Sequence, residues 1–210
     1  MAIDDLLDEH EQGERVRAWL RRNGAGIIGG VVLGLALIWG FRWWQAQDLG
    51  QRMSAGTNYQ AAVDDLEAGK LAEAAPVVAA IPDGTYATLA SLELAEAQVE
   101  AGKRDDAIAT LRSAAPTDPR LGSIVSERLA RLLIDAGKPA DALALLQRDD
   151  AGTLAIRGDA YAASGDRAKA REAYARALVG LEVGSPLRSL VELKLSEVGG
   201  TPAQTEAGSR

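Results

Sequence analysis

The sequence has no cysteine, a single histidine (His10) and a single phenylalanine (Phe41). No disulfide framework and no thiolate metal site can be built from it. Beyond residue 10 neither His nor Cys occurs, which excludes Ser/His/Asp and Cys/His nucleophilic arrangements there. Carboxylate pairs remain at Asp64-Asp65, Asp105-Asp106 and Asp149-Asp150. They fall near expected helix ends, where aspartate caps backbone N–H groups and stays solvated. Phosphate loops are missing too, because the glycines between 24 and 40 are not followed by Lys-Ser/Thr. Positive charge is short: the formal net charge is −7, and no basic face forms that could neutralise phosphates. The chain is therefore expected to be no enzyme, to hold no cofactor or metal, and to bind neither nucleic acid nor a small-molecule substrate.

What the chain does have is one long stretch without charge, AGIIGGVVLGLALIWGF, from Ala25 to Phe41. At about 1.5 Å per residue it spans roughly 25 Å as a helix. Continued through Trp43 and Trp44, it approaches the ~30 Å of bilayer hydrocarbon. Arg21 and Arg22 end it on one side and Arg42 on the other, and Trp39, Trp43 and Trp44 sit where interfacial rings belong. A signal peptide would show a short basic leader and a small-x-small cleavage site. Here an acidic segment precedes the run and bulky WGFRWWQ follows it, so the reading is an uncleaved anchor. Arg15, Arg17, Arg21 and Arg22 outnumber Arg42 and Arg52 across it, which predicts a cytoplasmic N-terminus and puts everything after Trp44 across the membrane, in a bacterium the periplasm. Gly26, Gly30 and Gly34 line one face, where a second helix could approach closely; glycine is also common in membrane helices.

Ahead of the anchor, residues 3–22 read as a polar, partly amphipathic helix carrying Val16, Trp19 and Leu20 on one side. Asn23-Gly24 is expected to break it. It serves either as an interfacial helix or as a docking segment.

After Thr57 the sequence repeats itself. The clearest copy places Leu154, Gly158, Tyr161, Gly165, Ala170, Tyr174 and Ala177 at the spacing of a tetratricopeptide repeat. Small residues sit where two helices cross, tyrosines fill the space between, and Gly165 closes the first helix in a conformation glycine tolerates best. Asp166 can then cap the second helix. Earlier copies keep the hinge: Gly69 precedes Ala74 and Val78, Gly102 precedes Ala107 and Leu111, and Gly137 precedes Ala142 and Leu146. Ser185-Pro186 opens a further helix to about residue 198, the place of a solenoid cap.

The expected fold class is all-α, a single N-terminal transmembrane helix followed by a tetratricopeptide-like helical solenoid. Residues 1–24 form a cytoplasmic segment, 25–44 the transmembrane helix, 45–56 a linker, 57–198 the repeats and 199–210 a disordered tail. The first helices of the pairs should build a concave face. Register by register, that face takes Tyr59, Val63, Leu66, Leu92, Glu96, Val99, Glu127, Arg131, Ile134 and Asp159. The mixture suits an extended peptide or a partner's helix, although in degenerate repeats several of these positions are simply core. Lys and Asn are absent from them, so capture of a free C-terminal carboxylate by a Lys/Asn clamp is not supported.

ERVRAWLRRNG, GGVVLGLALIWGFRWWQ, DGTYATLASLELAE and SERLARLLIDAGKPADAL, in this order, resemble the YfgM family, the ancillary subunit of the Sec translocon. The resemblance implies a bacterial inner-membrane protein with a periplasmic repeat domain. Its implied partners are the SecYEG translocon and a membrane-anchored periplasmic chaperone related to peptidyl-prolyl isomerases. It also implies a role in handing newly translocated proteins to periplasmic chaperones. Without it, a periplasmic scaffold for cell division or respiratory-complex assembly fits the sequence as well.

Overall fold

The computed structural model describes residues 4–201, with side chains from residue 13 onward apart from Asp48. The His10 side chain and the tail from 202 to 210 lie outside what is described. Among the described residues every regular element is a helix. Helix α1 runs Asp4–Glu67, and α2 (Leu71–Ala79), α3 (Thr85–Glu100), α4 (Arg104–Ser113) and α5 (Pro119–Asp135) follow. Then come α6 (Pro139–Leu145), α7 (Ala151–Ala163), α8 (Arg167–Val179) and α9 (Pro186–Glu197). The chain divides into two compact units, 1–54 and 55–210.

The first unit holds the apolar run. Its hydropathy is 2.0 over the best window, long and apolar enough to cross a membrane, and none of that window is buried. Two expectations are corrected. Asn23-Gly24 does not break the helix; Asn23 Nδ2 donates to the Trp19 carbonyl at 3.1 Å and the helix continues. One glycine costs a helix only about 1 kcal/mol, less than the bonds lost by interrupting a helix whose turns on both sides are already formed. Residues 45–56 are no linker either, since Gln45, Ala46, Leu49, Met53 and Ala55 carry α1 onward despite Gly50 and Gly56.

The second unit is a row of antiparallel helix pairs. The end of α1 pairs with α2, α3 with α4, α5 with α6 and α7 with α8, and α9 caps the row. One hinge is used four times. Gly69, Gly102, Gly137 and Gly165 have φ of 73°, 75°, 72° and 83°. Each donates its N–H to the carbonyl three residues back, and the following residue donates to the carbonyl five back, at 2.7–3.0 Å. That satisfies the last carbonyls of the helix with a left-handed residue that only glycine adopts cheaply. Gly199 and Gly200 repeat the pattern after α9, so these two residues close a helix, where the sequence reading began a disordered tail.

The repeat register also fixes the core. The residues five and nine positions after each hinge glycine are all buried: Ala74 and Val78, Ala107 and Leu111, Ala142 and Leu146, Ala170 and Tyr174. Gly158 is required by the last of these, because a Cβ there would overlap the Tyr174 ring. Buried apolar residues gather into three clusters along the row, with α7 contributing Ile156 to the central one and Leu154 to the C-terminal one. Each pair thus rests on its neighbours, as in other solenoids.

The short interval before the last copy is held by Arg157. Its guanidinium donates to the carbonyls of Leu146 (2.6 Å) and Arg148 (2.8 Å) and to Asp149 (2.9 Å). These bonds satisfy the frayed end of the seven-residue α6 without a longer loop. Arg188 does the same at the end of α8, donating to Leu178 (3.0 Å) and Leu181 (2.9 Å). Aspartates cap the following helices: Asp118 for α5, Asp150 for α7 and, as the sequence indicates, Asp166 for α8.

Candidate protein-binding groove

Helices α3 and α5 are the first helices of neighbouring pairs and lie side by side. Between them runs a groove of about 310 Å³. Leu92, Ala95 and Val99 from α3, Leu111 from α4 and Leu132 from α5 form its apolar floor and rim. Leu92 and Leu111 are buried, whereas Val99 remains 43 % exposed. The i, i+3, i+7 spacing of Leu92, Ala95 and Val99 puts them on one face of α3. Glu96 and Glu100 edge the groove from α3, and Arg128 and Arg131 edge it from α5. Arg128 Nη1 donates to Glu96 Oε2 at 3.1 Å across the mouth.

Four of the expected groove residues, Leu92, Glu96, Val99 and Arg131, come together here. The other six lie elsewhere. Tyr59 and Leu66 pack against the N-terminal cluster, and the Tyr59 ring lies 5.6 Å from that of Tyr86. Burial first, then the nearby Glu93 charge, raise the Tyr59 hydroxyl above its ordinary pKa. Val63 is half-buried on α1, and Ile134 packs on the central cluster. Glu127 faces a separate cavity of about 160 Å³ between α5 and α7, lined also by Arg148 and Thr153. Asp159 accepts hydrogen bonds from Tyr174 Oη at 2.7 Å and from Lys194 Nζ at 2.8 Å. Burial, followed by that bond to Asp159, pushes the Tyr174 hydroxyl far above the ordinary range.

Sequence reasoning missed Arg128 and Glu100. Both were legible: Arg128 precedes Arg131 by one helical turn, and Glu100 follows Glu96 by one. Nothing lining the groove is a histidine or a thiol, and among the described residues no three His, Cys, Asp or Glu side chains gather as a metal site. The groove's chemistry is apolar contact bordered by fixed charge.

The family model for a tetratricopeptide repeat-like domain matches residues 17–200. A protein of Escherichia coli (strain K12) named "Ancillary SecYEG translocon subunit" is 32% identical over 200 residues, covering 91% of this chain and 97% of that protein. The match takes in the apolar helix as well as the repeats. The four hinges, the buried register and this near end-to-end identity place the chain in the YfgM family of ancillary SecYEG translocon subunits, proteins built on a tetratricopeptide repeat-like domain.

Proposed function

We propose that this protein is a single-span membrane scaffold at the SecYEG translocon, with its N-terminus in the cytoplasm and its repeats in the periplasm of a bacterial cell. There it holds a membrane-anchored chaperone of the peptidyl-prolyl-isomerase type and helps pass newly translocated chains to periplasmic chaperones. The observation that carries this reading is the near full-length identity to the translocon subunit, spanning anchor and repeats alike. The physical parts agree with it. The apolar helix exposes Val31, Leu35, Ile38 and Trp39, which water would penalise and lipid would accept. The groove between α3 and α5 offers a partly apolar surface of the kind that takes a partner's segment.

The test is copurification from native membranes. Tagged full-length protein extracted in mild detergent should bring SecY, SecE and SecG with it, together with a single-span periplasmic chaperone. Recovery of cell-division or respiratory-assembly proteins without any Sec subunit would replace this reading.

A further inference from the structure

The groove between α3 and α5 carries opposite charge on its two edges. Glu96 and Glu100 are one helical turn apart on α3, and Arg128 and Arg131 are one turn apart on α5. All four are exposed. Glu96 and Arg128 neutralise each other at 3.1 Å. Among the described residues, neither Glu100 nor Arg131 has an ion-pair partner. Each therefore presents an unspent charge beside the apolar floor, acidic from one wall and basic from the other.

We propose that the groove selects an amphipathic helix of a partner protein with acidic residues along one edge, basic residues along the other and an apolar stripe between them. The inference rests on the reading of this groove as the protein-binding surface. The apolar stripe would lie on Leu92, Val99 and Leu132, the acidic edge on the α5 arginines and the basic edge on the α3 glutamates, with the exposed Glu96–Arg128 pair exchanging its mutual contact for the charges of the incoming helix. Charges spaced by one turn on each wall match charges at i, i+4 on a helix, whereas an extended strand places its side chains at a different pitch. A uniformly acidic segment meets the two glutamates, and a uniformly basic one meets the two arginines. The surface is therefore built for selection more than for tightness, since misplaced like charges oppose binding even where apolar contact is good. Phosphate-rich polymers are disfavoured by the same glutamates and by the net charge of −7.

Three synthetic helical peptides with the same leucine stripe test this. One carries Glu on one edge and Lys on the other, one carries Glu on both edges, and one carries Lys on both. Fluorescence anisotropy would be read with the full-length protein in zwitterionic lipid nanodiscs, with empty discs as the blank. The split-edge peptide should bind at least about fivefold tighter than either of the others at ~0.1 M ionic strength, and the gap should narrow as salt rises. Arg128→Glu with Arg131→Glu should transfer preference to the all-Lys peptide, and Glu96→Lys with Glu100→Lys to the all-Glu peptide. Val99→Lys should weaken all three. Equal affinities that the charge reversals leave unchanged would overturn the charge selection, while the Val99→Lys effect kept the groove as the binding surface. If Val99→Lys changed nothing, the groove itself would be the wrong surface and both readings would fall.

Discussion

Lys194 Nζ lies 2.8 Å from both carboxylate oxygens of Asp159, joining cap helix α9 to α7. Tyr174 Oη donates to the same carboxylate, so one side chain gathers α7, α8 and α9. Both charged groups are less than one-third exposed, at 24% for Asp159 and 31% for Lys194. A partly sheltered pair with a third hydrogen bond contributes more than an open surface pair. Lys194→Met should lower stability by about 1 kcal/mol, and a double-mutant cycle with Asp159→Asn should return a coupling of about 0.5–1 kcal/mol. The tyrosine near-UV signal isolates the repeats, because all four Tyr lie at 59 or later and all four Trp at 44 or earlier. Strict additivity would reduce the contact to an incidental one.

At the hinge glycines the constraint is backbone conformation, with φ between 72° and 83°. Gly165 has φ of +83° with open space around its Cβ position, so no side chain would clash there. Substitution therefore reads the left-handed conformation itself. Gly165→Val should cost about 1–3 kcal/mol, while Gly165→Asn should cost much less because Asn tolerates that region. Thermal unfolding of the full chain in mild detergent, followed on the tyrosine signal, should rank wild type, Asn and Val in that order. Equal losses for Asn and Val would show that φ is not the cause.

Acid should loosen the junction into α7. Burial alone would raise the Asp150 carboxyl. The Thr153 N–H, the Arg148 guanidinium and the Thr153 hydroxyl donate to it and hold it at about 2. A carboxyl depressed below its unfolded-state value stabilises the fold above about pH 4 and loses that contribution as pH falls toward 2. With Asp150 partly exposed, solvent screening leaves roughly 1 kcal/mol at neutral pH, which is also the usual loss of an N-cap. Asp150→Ala should lower stability by that amount at pH 7 and flatten the dependence between pH 4 and 2. An unchanged slope would assign the acid sensitivity to other carboxylates.

The helices and the repeat register were legible in the sequence because hinge and core are local. A glycine followed at five and nine residues by small or apolar side chains marks each crossing, even where the rest of the copy has drifted. The groove was legible only in part. Leu66 and Ile134 share the repeat register of Val99, yet they pack on the clusters while Val99 stays 43% exposed, because whether a first-helix residue is rim or core depends on how closely adjacent pairs approach. Asp159 was taken up by Lys194, a residue 35 positions away that no repeat pattern links to it. The unbroken run of α1 through Asn23-Gly24 was missed for the opposite reason: turn residues were weighed singly, against a helix whose many bonds outweigh them.

Topology is testable directly. A phosphatase that is active only in the periplasm, fused after Arg210, should be active, and a reporter that works only in the cytoplasm should be silent there. The excess of Arg15, Arg17, Arg21 and Arg22 before the apolar run is the ground for that expectation. Moving two of them to the other side should produce a mixed population. The reverse reporter pattern in the unaltered chain would take the repeats out of the periplasm.

The apolar helix offers a last experiment that leaves the fold untouched. A Cβ at Gly26, Gly30 or Gly34 meets nothing of the chain within 4 Å. Gly30→Leu therefore neither strains the chain nor lowers hydropathy, and any effect must come from a neighbour that the glycine face allows close. If partners engage both this helix and the groove, each contact is weak alone, and confinement to one membrane raises the effective concentration of the second. Gly30→Leu and Val99→Lys should then each reduce recovery of Sec subunits several-fold, and the double variant should lose them. Exchange of the apolar segment for an unrelated membrane helix with full recovery would make the glycine spacing mere composition and leave recognition to the repeats.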